Sequence, residues 1–187
     1  MSASLQVAFI TGQSDPSSCA LSPAQERFLA GLPVPADAKV RCNFPYAPSS
    51  QPHRAISLPV ASWNNARQYW ASRYLAFAQR HRASVLRMLT QADRTVLLAG
   101  SCGLELLANL RLPELVLSRL HVFAYGAVAR RRPQVDIVAV HGRRDWIARP
   151  WRKHDDLFVD CHHMNYLASP EVLARCTDFI ARVNARA

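Results

Sequence analysis

The sequence predicts an α/β three-layer sandwich built on a mostly parallel six-stranded sheet. Three observations predict it: six short apolar runs, turn residues bounding most of them, and helical or irregular segments between them. Parallel neighbours cannot be joined by hairpins, so such alternation implies crossovers that cover both faces of the sheet.

Leu5 to Ile10 is the first run and stops at Thr11-Gly12. Ser22-Pro23-Ala24-Gln25 then offers an N-cap, a proline at the first helical position and a capping-box glutamine, with Gly31 and Pro33 closing that helix. Ala38 to Asn43 is the second run. Phe44 to Ala61 carries Pro45, Pro48, Pro52 and Pro59 and reads as an irregular surface excursion. From Ser62 the spacing of Trp63, Ala66, Trp70, Tyr74, Phe77, His81, Val85 and Leu89 predicts one long amphipathic helix with its aromatics in the core. Thr95 to Ala99, Leu120 to Tyr125, Val135 to His141 and Leu157 to Cys161 complete the strands. Helices are expected from Gly103 to Leu110 and from Pro170 to Val183. The link from Tyr125 to Val135 is too short for an ordinary helical crossover and predicts a turn or a single helical turn.

The 187 residues, half of them apolar, suffice for one core, and no linker-like repeat divides them. One domain over 1–187 is expected. No apolar run approaches the length of a membrane span, and the first residues lack the pattern of a secretory signal, so a cytoplasmic location is expected. Five scattered cysteines without a CxxC pair suggest free thiols, neither a zinc knuckle nor a disulfide framework. The formal charge of +10 comes from 23 basic residues, of which only Lys39 and Lys153 are lysine. The arginines are spread along the chain instead of gathered into a patch, which argues against specific nucleic-acid binding.

The chemistry concentrates at strand ends. Thr95 to Ala99 runs into Gly100-Ser101-Cys102-Gly103 and then into a helix, a turn that strains its central residue and tolerates only small neighbours two positions away. Around Ser101 those neighbours are Ala99 and Gly103; around Cys102 they would be Gly100 and the bulky Leu104. Ser101 is therefore the candidate nucleophile, and it needs a base held by a carboxylate. His141 also ends a strand but reads as structural, and the adjacent Asp160, Cys161, His162 and His163 do not converge as metal ligands.

This pattern resembles the nucleophile elbow of the α/β-hydrolase superfamily, with Ala99 in place of the first glycine of G-x-S-x-G. The resemblance extends to Gly142-Arg143-Arg144-Asp145 after the strand ending at His141, which looks like the family's acid loop. It extends also to Cys161-His162-His163 and the stretch to Pro170, where His163 holds the register of the catalytic histidine and His162 replaces the usual glycine. The order Ser101, Asp145, His163 matches the family's order.

The resemblance implies a serine hydrolase of esters or thioesters without a cofactor, acting on a small-molecule or carrier-bound acyl group. Backbone N–H groups of Cys102 and Gln13 would form the oxyanion hole, with Gly12 and Trp146 at the substrate. The family's opening hairpin and cap are absent from the pattern, so the site is expected to be open and one sheet edge free for a homodimer or another partner. Acyl transfer on the same triad is an alternative. So is a non-catalytic binding subunit, if the short loops leave Asp145 out of reach of His163.

Overall fold

The structure is a computed structural model and describes residues 3–47 and 53–186. The middle of the proline-rich excursion, residues 48–52, lies outside them. Six strands, β1 (Ala3–Ile10), β2 (Lys39–Asn43), β3 (Ala92–Gly100), β4 (Leu120–Tyr125), β5 (Asp136–Gly142) and β6 (Leu157–Val159), form one sheet in the order β2-β1-β3-β4-β5-β6. Every neighbouring pair is parallel. Such strands are covered on both faces, which is why β3 is apolar without alternation: Val96, Leu97, Leu98 and Ala99 are all fully buried.

Among the described residues six α-helices cover the sheet: α1 (Pro23–Gly31), α2 (Leu58–Ala71), α3 (Leu75–Leu89), α4 (Gly103–Asn109), the single turn α5 (Glu114–Leu117) and α6 (Pro170–Ala185). On one face Phe28 of α1 and Phe179 and Ile180 of α6 pack on Phe9, Leu98 and Phe123. On the other, Val85 of α3 and Leu104 and Leu107 of α4 pack on Ile10, Leu97 and Val122. The result is a three-layer sandwich. The capping box of α1 forms as its sequence dictates: Gln25 N–H donates to Ser22 Oγ at 3.3 Å and Ser22 N–H to Gln25 Oε1 at 2.8 Å, an arrangement worth about 1 kcal/mol.

Two expectations are corrected. The excursion ends at residue 57, because Pro59 lies in the first turn of α2, where its missing N–H costs nothing. The single long helix is two helices, broken at residues 72–74. Ser72 is buried at the break, donates its hydroxyl to Tyr69 O at 2.8 Å and accepts Asn109 Nδ2 at 2.9 Å. The break leaves Trp63, Trp70 and Tyr74 exposed, while Phe77, Val85 and Leu89 remain in the core. Trp70 serves instead as a platform for Arg73, whose guanidinium carbon lies 3.8 Å from the ring centroid.

The segment between β4 and β5 holds no helix. The edge strand β2 is partly closed: Asn43 N–H donates to Cys19 O at 2.7 Å, and Ala20 bridges Cys42 in antiparallel sense. No helix among the described residues is long and apolar enough to cross a membrane.

Candidate active site

In a parallel sheet all carboxyl ends lie along one edge, so residues following β3, β5 and β6 meet although they are far apart in sequence. Ser101 follows β3 with φ +50°, in the left-handed region that costs a non-glycine residue about 1–2 kcal/mol. Hydrogen bonds hold it there. Ser101 N–H donates to Tyr125 O at 3.2 Å, and Val128 N–H donates to Ser101 O at 2.8 Å. A side chain at Gly103 would collide with the carbonyl oxygen of Ile10, so this close approach of α4 to β1 requires glycine.

His163 follows β6 and faces Ser101 with Nε2 at 3.2 Å from Oγ; its Nδ1 lies 2.9 Å from Asp145 Oδ2. Asp145, on the loop after β5, is almost fully buried. Because an ionised carboxylate only accepts, it places the imidazole proton on Nδ1 and leaves Nε2 as the base toward the serine. Burial alone would raise the Asp145 pKa. Hydrogen bonds from His163, from Ala148 N–H and from the Tyr166 hydroxyl outweigh it and hold the carboxyl at about 2. The loop itself is fixed by Arg152, whose Nη2 donates to the carbonyl oxygens of Gly142 and Asp145, the latter at 2.7 Å.

The neighbouring histidines do other things. His162 is exposed; its N–H donates to Asn165 Oδ1 at 2.8 Å and its ring faces the Met164 N–H. His141 is fully buried 3.1 Å from Asp156, which also pairs with Arg132 at 2.7 Å. Burial lowers the His141 pKa, opposed by Asp156 and reinforced by Arg132 and Arg152. Among the described residues no three His, Cys, Asp or Glu side chains gather as a metal site requires.

Cys102 is buried beside the elbow. Burial pushes its thiol up to about 12, against the backbone N–H groups of its own residue and of Gly12, so the sulfur is protonated and Ser101 is the group a base can activate. The Cys102 N–H meets no carbonyl or side-chain oxygen among the described residues. The Gln13 N–H donates to Gln68 Oε1 at 2.8 Å, and Gln68 Nε2 donates back to Gln13 Oε1 at 3.0 Å. This pair belongs to the wall of a cavity of about 550 Å³ that Tyr74, Phe77 and His81 also line. Trp146 is mostly exposed and lines a hollow of about 390 Å³ with Asp145 and four arginines, Arg143, Arg144, Arg149 and Arg152.

Sequence reasoning did not single out Tyr166, Gln68 or Asn65. Tyr166 Oη accepts Gly142 N–H at 2.6 Å and donates to Asp145 Oδ2 at 2.7 Å. Its position three residues after His163 is the one signal the chain offered. Asn65 and Gln68 come from α2, one turn apart on the face toward Gly12 and Gln13, and only the placement of that helix brings them to the site. No family model and no curated protein matches the chain.

Proposed function

We propose that this chain is a serine hydrolase of the α/β-hydrolase kind, cleaving an ester or thioester through an acyl-serine intermediate. One observation carries the reading: Ser101, on a positive-φ turn, shares a hydrogen-bond chain with His163 and Asp145 at 3.2 and 2.9 Å. A non-catalytic binding role would be favoured by short loops that leave Asp145 out of reach of His163, and the 2.9 Å contact between the two supports the catalytic reading instead.

A serine hydroxyl is inert at neutral pH until its proton has somewhere to go. His163 Nε2 takes that proton as Ser101 Oγ bonds to the acyl carbon, and the carbonyl π pair moves onto oxygen. Asp145, ionised at neutral pH, stabilises the imidazolium through Nδ1. Collapse of the tetrahedral adduct reforms the carbonyl and expels the alcohol or thiol, which receives the proton from His163. Water then repeats the sequence and releases the acid and free Ser101.

The test is reaction of the purified protein with a fluorophosphonate, read by intact mass and peptide mapping beside Ser101→Ala. The expected result is one adduct on Ser101 that the variant lacks. A folded protein that takes up no phosphonate at Ser101 overturns the reading.

A further inference from the structure

The oxyanion in the proposed reaction needs donors, and one of the two backbone groups assigned to it is committed elsewhere. Gln13 N–H is held by Gln68, whereas Cys102 N–H is free of oxygen acceptors among the described residues. A single hydrogen bond is a poor match for a full negative charge developing on the carbonyl oxygen.

A third group stands next to Cys102. A methyl group built on Gly12 would lie 2.6 Å from Asn65 Oδ1 and 2.7 Å from Cys102 Sγ, so the Asn65 carboxamide, the Gly12 backbone and Cys102 share one small space. Asn65 is fixed there from both sides. Asn64 Nδ2 donates to Ser14 O at 2.8 Å, and Gln68, one turn along α2, holds Gln13. Asn65 Oδ1 is buried and meets no donor among the described residues. The Gly12 backbone and the Cys102 thiol border the same space, and neither forms a hydrogen bond to that oxygen.

The two ends of a carboxamide are isosteric, and turning this one over sets its NH₂ beside Cys102 in place of the unsatisfied oxygen. We propose that Asn65 is a catalytic residue, its carboxamide nitrogen donating to the oxyanion that forms against the Cys102 N–H. This rests on the serine-hydrolase reading above. No proton moves through Asn65: the amide strengthens a hydrogen bond as the carbonyl oxygen gains charge and relaxes when the carbonyl reforms. Glycine at position 12 fits the same picture, because any side chain there would displace the amide.

The experiment compares wild type with Asn65→Ala and the isosteric Asn65→Asp, which keeps the volume and removes the donor. Three readouts are taken: the rate of Ser101 phosphonylation, kcat and KM on a p-nitrophenyl ester, and the affinity for a trifluoromethyl ketone, whose hemiketal mimics the oxyanion. Both variants should phosphonylate and turn over about 10²- to 10³-fold more slowly with KM little changed, and should bind the ketone more weakly by a similar factor. A role confined to packing would move the melting temperature and leave ketone affinity in step with KM. Variants that retain wild-type rates within threefold, or lose rate with undiminished ketone affinity, overturn the assignment of Asn65 alone. A wild type that takes no phosphonate at Ser101 overturns the hydrolase reading and this inference with it, so the two failures are told apart by the first readout.

Discussion

Tyr166 Oη lies 2.7 Å from Asp145 Oδ2 and 2.6 Å from the Gly142 nitrogen, so one phenol joins the loop of Asp145 to the loop of His163. Tyr166→Phe removes a donor to the carboxylate and leaves the Gly142 N–H unsatisfied in a buried place. The expected cost is about 1–3 kcal/mol of stability. The proposed hydrolysis should fall roughly tenfold, because a carboxylate with one donor fewer holds His163 less firmly. Denaturant midpoints and steady-state kinetics on the purified variant check both numbers.

Acid stability follows from Asp145. Its folded-state pKa, about 2, is below the ordinary carboxyl value, so its contribution is complete above that ordinary value and is lost as pH falls through about 2. Asp145→Asn cannot titrate. The stability difference between wild type and Asp145→Asn should therefore shrink between pH ~4 and pH ~2 and be constant above it. Urea titrations at several pH values measure this, and a constant difference over the whole range contradicts it. At neutral pH the same variant should lose activity on the order of 10⁴-fold through the wrong imidazole tautomer.

Ser101 is held in the left-handed region at φ +50°, and the strain should be recoverable. Ser101→Gly and Ser101→Ala both remove the hydroxyl, but only glycine relaxes at φ +50°. The glycine variant should exceed the alanine variant in unfolding free energy by about 1 kcal/mol. Equal stabilities would mean that the elbow stores no backbone strain.

The thiol beside the serine should be silent. Cys102 is buried and its pKa is pushed up to about 12, so iodoacetamide at pH 8 should leave it unalkylated in the folded protein and leave activity intact. Peptide mapping after alkylation decides this, and rapid loss of activity with Cys102 modified would move the proposed nucleophile one residue along.

The strands and their carboxyl-end residues were legible because they depend on local pattern: a short apolar run stopped by small or polar residues reads the same in any context. The order Ser101, Asp145, His163 was legible for the same reason, each residue lying just beyond such a run. The break at residues 72–74 was not, since Ser-Arg-Tyr contains no proline or glycine and the apolar spacing passes straight through it. A buried Ser72 hydroxyl bonded to Asn109, distant in sequence, makes that break. Trp70 illustrates the consequence: its spacing marks it as core, yet after the break its ring faces Arg73 and solvent. Asn65, Gln68 and Tyr166 were hidden likewise, because a polar residue on a helix or turn acquires a task only from what the tertiary fold sets opposite it.

The three-residue strand β6 leads into the histidine, and it is the shortest strand of the sheet, at its edge. Edge segments with few ladder bonds open at a lower free energy than the central β1 and β3. Opening β6 would withdraw His163 from Ser101 while the rest of the sheet and both helical layers persist, so on warming the chain would pass through a well-folded population in which the proposed chemistry is idle. If the chain acts as proposed, its inactivation temperature should lie below its melting temperature, and reinforcing β6 should raise the first with little change in the second.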